Sequence, residues 1–190
     1  MPRKARFDAF GTLHHVIIQG IERKPIVDDD KDRENFVSRL GHLAAETETG
    51  IFAWTLMTNH AHILIRSGPG GLSSFMRRLL SGYAAGYNRR HKRYGHLFQN
   101  RYKSILCQQE SYLLELVRYI HLNPIRTSQF KDADFPTKSE YLKKYPWSTF
   151  PGYCYLRKRN KNIDYGWLLS TYFGEDTAKG RRQCREYVYQ

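Results

Sequence analysis

Short runs of β-branched and apolar residues recur along the first part of the chain and predict four strands. The first run covers residues 12–19, and two more follow at 51–58 and 60–66, with Thr58–Asn59 as the turn or bulge between them. A fourth run, at 101–108, comes after a polar loop. Such residues fit the pleated, half-buried surface of a sheet, so each run indicates a strand.

Apolar residues at helical spacing predict three helices among these strands. They cover residues 30–48, 72–90 and 111–124. In each segment the apolar residues recur three or four positions apart, which places them on one face of a helix. Pro124 disfavours helical geometry at the residue before it, so the third helix is expected to end near Asn123.

The order β-α-β-β-α-β is typical of a ferredoxin-like (RRM-like) fold. The predicted class is therefore α+β, an antiparallel sheet with helices on one face. The other face of such a sheet is open, and RNA-recognition modules bind nucleic acid there. The length of 190 residues suits one domain with an extension. We divide the chain into a domain at 1–130 and a basic C-terminal extension at 131–190 packed on it, with short helices near 164–172 and 176–188.

The chain is strongly basic, with 31 Lys and Arg against 18 Asp and Glu and a formal net charge of +13. A polyphosphate is the natural partner of such a protein. The positive charge is concentrated in five clusters, at residues 77–78, 89–93, 101–103, 157–161 and 181–182. Aromatic residues lie within or between these clusters, as stacking of single-stranded bases requires: Tyr87, Tyr94, Phe98, Tyr102 and Tyr155. One basic run can be an ordinary solvated surface, but five together favour nucleic acid.

Composition also argues against several classes of protein. No apolar run approaches the ~20 residues that a membrane-spanning helix needs. The basic N-terminus, residues 1–7, has no apolar segment behind it, which favours a cytoplasmic location over secretion. Cys107, Cys154 and Cys184 are widely spaced without a Cys-x-x-Cys pair, which favours reduced thiols over a disulfide framework or a zinc ribbon.

His60 and His62 supply the first candidate chemistry, because they are two residues apart in a predicted strand. Side chains at positions i and i+2 of a strand project from the same face, so both imidazoles can offer a nitrogen to one divalent ion. Taken alone, such a pair is more often two polar residues on a solvent-facing strand. A metal site therefore needs support from elsewhere in the chain.

The third predicted helix offers a nucleophile. Residues three or four positions apart form one polar stripe on it, namely Tyr112, Glu115, Tyr119 and Asn123. His121 is two positions from Tyr119 and points elsewhere. A phenol beside a divalent metal and neutral imidazoles suits attack on a phosphodiester, in which the tyrosine becomes covalently linked to the phosphate. Composition does not decide between Tyr112 and Tyr119, because the chain has 14 tyrosines.

Six blocks of sequence occur in a characteristic order, at residues 11–16, 29–33, 57–62, 94–103, 112–114 and 118–126, with weaker ones at 147–150 and 167–169. This ordered set resembles the HUH single-tyrosine transposases, and in particular their REP-associated tyrosine transposase branch. It is far more specific than a lone His-x-His. Ala61 stands where relatives usually carry a bulkier residue, and Thr58 where many carry proline. Both departures affect packing more than chemistry.

The resemblance implies that His60 and His62 bind a divalent metal, Mg²⁺ or Mn²⁺, and that Tyr119 is the nucleophile. It implies Asn123 as a third metal ligand, although an Asn before Pro is also a good N-cap, and the sequence leaves both roles open. From the basic clusters and the block around Tyr119 we expect ten residues to contact DNA: Arg77, Arg78, Arg89, Arg90, Lys92, Arg93, Arg101, Lys103, Arg118 and Arg126.

The leading interpretation is a metal-dependent endonuclease and strand transferase that cleaves single-stranded DNA near hairpins through a 5′-phosphotyrosine. The resemblance implies hairpin-forming palindromic repeats as substrate, and a monomer or homodimer. One alternative is a domesticated, non-catalytic nucleic-acid-binding module, but His60, His62 and Tyr119 together favour the enzyme. A metallo-hydrolase that uses water is a weaker alternative. Ile63-Leu64-Ile65 follows the histidines, where such hydrolases have Asp-His.

Overall fold

The structure, a computed structural model, describes residues 8–107, 110–155, 159, 161 and 163–190. The strands are β1 (Leu13–Gln19), β2 (Gly50–Leu56), β3 (His60–Arg66) and β4 (Lys103–Leu106). The helices are α1 (Asp30–Glu46), α2 (Leu72–Arg90), α3 (Glu110–Leu122), α4 (Phe135–Lys144), α5 (Phe150–Tyr155), α6 (Tyr165–Phe173) and α7 (Ala178–Tyr189). The basic N-terminus and most of the basic cluster at 157–161 lie outside the described residues.

The four strands form one antiparallel sheet in the order β2-β3-β1-β4, which confirms the predicted ferredoxin-like fold. In the register of β1 with β3, Ile17 lies opposite His62 and His15 lies opposite Leu64. Directly opposed residues share a face of the sheet. The residues between them, Val16 and Ile63, therefore project from the other face.

The face that carries Val16 and Ile63 is the core of the molecule, and both side chains are fully buried. Helices α1 and α2 pack against each other and cover this face. The rings of Phe36 on α1 and Tyr83 on α2 meet edge to face, with their centroids 5.1 Å apart. Asp29 caps α1, since its side chain accepts a hydrogen bond from the backbone N–H of Asp32.

The opposite face of the sheet carries His62 and is partly covered by α3. The apolar stripe predicted for this helix is buried, with Leu113, Leu116, Val117 and Ile120 almost inaccessible to solvent. Helix α3 contacts β2 and β3, so the expectation of a fully open face is wrong for that half of the sheet. The β1–β4 side remains accessible, and the side chain of Ile105 on β4 is 44% exposed there.

The described part of residues 131–190 packs against β2, the outer strand of the sheet. Ser148 forms a bridge with Thr55 of β2, and the backbone N–H of Leu56 donates to the carbonyl of Trp147 at 2.8 Å. Helix α7 contacts α3, α5 and α6. The extension therefore contacts both the outer strand of the sheet and α3. No helix in the described ranges is long and apolar enough to span a membrane.

Candidate active site

Strand β3 and helix α3 bring two predicted histidines and one predicted tyrosine together. His60 and His62 project from the same face of β3, with ring centroids 5.2 Å apart. The ring of Tyr119 stands perpendicular to that of His62, with the centroids again 5.2 Å apart. Tyr112, which lies two turns earlier on the same polar stripe, is 44% exposed. The packing of α3 thus separates two tyrosines that composition treated alike.

Asn123 completes the cluster because α3 ends just before it. Helix α3 stops at Leu122, and Asn123 begins a short 3-10 turn that continues through Pro124. The buried side chain of Asn123 turns toward β3, and its Oδ1 atom lies 3.1 Å from Nε2 of His60. In the described part of the chain this side chain caps no helix. Its position therefore agrees with the role of a ligand.

His15 also belongs to the cluster, although it was not among the predicted site residues. Its Nε2 lies 2.9 Å from Nδ1 of His62, and the two rings stack with centroids 5.1 Å apart at 27°. Its ring also meets that of Tyr119, edge to face, at 6.1 Å. The alternation of β1 placed His15 on the face opposite to His14, but only the pairing of β1 with β3 brings it to His62.

Burial keeps these histidines neutral. Desolvation, and then the nearby His15 and His60, lower the pKa of His62 to about 3. Desolvation lowers the pKa of His15 to about 4. The pKa of His60 is also lowered by burial, against an opposing hydrogen bond to Asn123. At neutral pH each ring therefore carries one N–H and one free lone pair.

Both ring nitrogens of His60 face an amide oxygen. His60 Nδ1 lies 2.7 Å from Oδ1 of Asn59, and its Nε2 lies 3.1 Å from Oδ1 of Asn123. A neutral imidazole has one N–H, so it can donate to only one of these oxygens. With the proton on Nδ1, the lone pair on Nε2 faces the amide oxygen of Asn123. Two acceptors facing each other fit a bound cation. His60, His62 and Asn123 offer two imidazole nitrogens and an amide oxygen, a donor set that suits a divalent metal.

A cleft of about 410 Å³ opens beside Tyr119 on the accessible side of α3. The guanidinium of Arg126 lies 4.8 Å above the Tyr119 ring. Side chains of β1, β4, α3 and the turn after it line the cleft: His15, Ile105, Tyr112, Glu115, Leu116, Arg118, Tyr119 and Arg126. An extended anionic strand can therefore reach the tyrosine from solvent.

The predicted DNA-contacting residues differ in how available their charges are. Arg77 and Arg101 line a groove of about 730 Å³ between α2 and the segment before β4. Within the described ranges no ion pair involves five of the exposed basic residues, Arg77, Arg89, Lys92, Arg101 and Lys103. Arg126 is exposed as well.

Other predicted contacts are already engaged inside the protein. Arg78 pairs with Glu46 at 2.6 Å, and Arg90 pairs with both Asp29 and Asp32. Arg118 lies 3.8 Å from Glu115, and the guanidinium of Arg93 lies 5.6 Å from the centre of the Tyr87 ring. A carboxylate beside Arg78, Arg90 and Arg118 offsets the positive charge that each presents to a phosphate, and Arg93 is packed on an aromatic ring.

The expectation that five aromatic residues would stack on bases is wrong for two of them. Tyr87 and Tyr102 are buried and belong to the core. Tyr94, in contrast, is 97% exposed, while Phe98 and Tyr155 are half-buried. The interleaving of aromatic and basic residues therefore reflects packing as much as a binding surface.

A second group of possible metal ligands lies where the start of α1 meets the end of α2. Asp28, Asp32 and His91 offer ligand atoms within 4.8 Å of one another. The guanidinium of Arg90 already binds Asp32, and His91 Nε2 lies 2.8 Å from the same carboxylate. This cluster ties the start of α1 to the end of α2.

Comparison with known proteins gives one family and one informative fold. The family model described as "Transposase IS200 like" matches residues 9–123. The solved REP-associated tyrosine transposase bound to a REP hairpin is 17% identical, with a TM-score of 0.63 over 85% of this chain and 90% of that one. That likeness shows the fold alone.

A candidate transposase from Deinococcus radiodurans R1 is also 17% identical, over 63% of this chain and 95% of that one. Its TM-score of 0.44 is too low to bear on the fold. No curated protein matches the chain significantly.

Proposed function

The chain belongs to the family of IS200-like transposases, and from this premise we propose that it is a metal-dependent nuclease and strand transferase for single-stranded DNA. We place it in the REP-associated tyrosine transposase branch, on the support of the shared fold. One observation carries the proposal. Tyr119 stands against His62 within a cluster whose other members, His60 and Asn123, can hold a cation.

The proposed reaction begins with attack by the Tyr119 hydroxyl oxygen on the phosphorus of a phosphodiester. The tyrosine loses its proton, a bond forms between its oxygen and phosphorus, and the bond from phosphorus to the 3′ oxygen breaks. That oxygen takes up a proton and leaves as a free 3′-hydroxyl, while the 5′-phosphate stays on Tyr119. The covalent link conserves the energy of the broken bond, so a second 3′-hydroxyl can reverse the step and join strands.

Three side chains would hold the metal, through Nε2 of His60, Nε2 of His62 and Oδ1 of Asn123. The ion, when bound, polarises the phosphate and stabilises its developing negative charge. Arg126 lies over the ring of Tyr119, so it supplies further positive charge where the anionic backbone must approach.

The accessible cleft favours a strand that is already single. The exposed faces of Tyr112 and Ile105 border the cleft, and an aromatic ring can stack on a base of any sequence. Extraction of a nucleotide from a duplex costs a few kcal/mol, and the sequence contains no ATP-binding motif that would supply this energy. The structural neighbour was solved with a REP hairpin. We therefore propose a single strand beside a short hairpin as the substrate.

The test is trapping of a covalent adduct. The protein is incubated with Mn²⁺ or Mg²⁺ and labelled single-stranded hairpins pooled from its own genome, and adducts are resolved on a denaturing gel. We expect an adduct with the wild type and with Tyr112→Phe, and none with Tyr119→Phe, because only Tyr119 supplies the attacking oxygen. Binding of DNA by Tyr119→Phe should be close to that of the wild type.

The same sites offered as fully paired linear duplexes serve as the substrate control and should yield little adduct. Equal cleavage of the duplex, or a 3′-phosphotyrosine product, would contradict the proposed substrate and polarity. An adduct with Tyr119→Phe that disappears in Tyr112→Phe would show that the wrong nucleophile was assigned. Tight binding without any adduct would point to a non-catalytic binding module.

A further inference from the structure

We propose that His15 is a positioning residue that holds His62 in the tautomer with its proton on Nδ1 and its lone pair on Nε2. The inference rests on the proposed function, since it names the residue that prepares one of the two imidazoles for the reaction. It is carried by the 2.9 Å hydrogen bond between His15 Nε2 and His62 Nδ1. The ring nitrogen that carries the proton is set by the bond that the other ring nitrogen makes.

The sheet fixes the geometry of this contact. His15 lies on β1 opposite Leu64, while His62 lies opposite Ile17, so the two histidines are diagonal neighbours on one face. Their rings stack at 27°. Both side chains are buried, so little water competes for the hydrogen bond. A bond anchored on two paired strands keeps its geometry better than one anchored on a loop.

The hydrogen bonding of His15 indicates that its imidazole serves as a partner for His62 and does more than fill space. Its other nitrogen, Nδ1, is buried and has no partner within the described residues. A buried polar atom without a partner costs free energy that a phenylalanine or leucine at this position would not. The bond to His62 is the one polar contact of the ring that the described structure contains. Simple packing would be served better by an apolar side chain.

The same arrangement occurs on the other predicted ligand. Nδ1 of His60 lies 2.7 Å from the amide oxygen of Asn59, and a proton on Nδ1 leaves the lone pair of His60 on Nε2. With Nδ1 of His62 donating to His15, both rings present Nε2 lone pairs on the same face. Residues that accept the second N–H of a metal-binding histidine fix its orientation and raise its basicity, and their loss typically costs about 10–100-fold in metal affinity.

The experiment compares two substitutions at His15 with the same two at His14. His15→Phe keeps a ring of similar size but removes the acceptor, whereas His15→Gln retains an oxygen that can accept from His62. His14 is equally buried on the adjacent position of β1, but it faces the other side and bonds Thr12 and Ser104. His14→Phe and His14→Gln are therefore matched controls for damage to the strand.

The first readout is the tautomer of His62, measured by ¹⁵N NMR on the metal-free protein. We expect the proton on Nδ1 in the wild type, in His15→Gln and in both His14 variants, and a shift toward Nε2 in His15→Phe. A wild type protonated on Nε2, or a tautomer that does not change in His15→Phe, would overturn the proposal. If His15→Phe does not fold, His15→Leu replaces it in the same comparison.

The second readout is affinity for Mn²⁺ alone, by calorimetry. We expect His15→Phe to bind Mn²⁺ about 10–100-fold more weakly than the wild type, with most of the loss recovered in His15→Gln. Equal affinity in all variants would count against a role in metal binding. Neither readout involves DNA. If both readouts give the expected differences and the wild type still forms no covalent adduct, the proposed function is refuted. The role of His15 in orienting His62 then still stands.

Discussion

At the scale of single residues, a small number of hydrogen bonds determines what the cluster around Tyr119 can bind. Asn59 and His15 each bond the Nδ1 atom of one histidine. With the proton of His60 on Nδ1, its Nε2 lone pair faces the amide oxygen of Asn123. Two facing acceptors repel each other in the absence of a ligand, and a bound cation turns this repulsion into attraction.

This arrangement predicts the effect of removing a ligand. His60→Ala and His62→Ala should each lower the rate of covalent adduct formation by at least about 100-fold, because loss of metal binding removes several kcal/mol of transition-state stabilisation. Their thermal stability should change little more than that of His42→Ala, an exposed histidine on α1 that serves as control. Full cleavage by either variant in excess chelator would show that the two histidines are structural.

At the scale of elements, α3 has two functional sides. Tyr119 faces the histidines of the sheet, while His121 points into the extension and lies 3.0 Å from the Thr149 hydroxyl. Thr149 in turn bonds the backbone of Trp54 on β2. Helix α7 supports α3 further, since Tyr187 donates to Glu115 at 2.9 Å. The position of the proposed nucleophile thus depends on residues after the family-matched segment.

The burial of His121 predicts that this packing weakens in acid. Desolvation lowers the pKa of His121 from 6.5 to about 3 in the folded protein. Below pH 6.5 the unfolded chain therefore binds a proton that the folded chain does not, and the free energy of unfolding falls as pH falls toward 3. The loss is about 1.4 kcal/mol per pH unit for each such histidine. His15 and His62 act in the same direction.

His121→Gln tests this prediction, because glutamine can still bond Thr149 but does not titrate. The free energy of unfolding is measured with urea at pH 7.5, 6.0 and 5.0. Its slope against pH should be smaller in His121→Gln than in the wild type by up to about 1.4 kcal/mol per pH unit, which corresponds to one proton. The carboxylates do not confuse the comparison, since the lowered pKa values of Asp29 and Asp176 affect stability only at more acidic pH. Identical slopes for the two proteins would contradict the assignment.

At the scale of the whole molecule, the 31 Lys and Arg side chains that give the net charge of +13 do not all serve the same purpose. Some form ion pairs that join elements of the fold, and others are exposed and can bind an anion. Arg90 joins α1 to α2 through Asp29 and Asp32, and Arg159 and Arg181 both bind Asp176. Near the end of α2, paired and unpaired basic side chains lie within a few residues of one another. Arg89 and Lys92 are exposed, and no ion pair involves them in the described ranges.

Charge reversal should therefore separate binding from folding. Arg89→Glu combined with Lys92→Glu should weaken binding to all single strands alike. It should also reduce the slope of log affinity against log salt by about 1.4, because two phosphate contacts are lost at about 0.7 each. Melting temperature should stay near that of the wild type. Arg90→Ala, the matched neighbour, should mainly lower stability. An unchanged salt slope in the double variant would rule out DNA contact at this end of α2.

The sequence by itself determined the elements and their order, because these depend on local periodicity. The spacing of apolar residues located all four strands and the first three helices to within a few residues. The effect of Pro124 on its neighbour also located the end of α3. The alternation of side chains along β3 placed His60 and His62 on one face without any knowledge of the fold.

Only the tertiary structure decided which residues meet across elements. No local pattern brings His15 to His62, because that contact depends on the register of β1 against β3. Nor did local patterns reveal that Arg90 is paired with Asp29 and Asp32, whose positions lie some sixty residues earlier in the chain. The spacing of apolar residues shows which residues of one helix or strand lie on the same face. Contacts between distant segments depend on how the elements pack, and these contacts determine which predicted side chains are free to act.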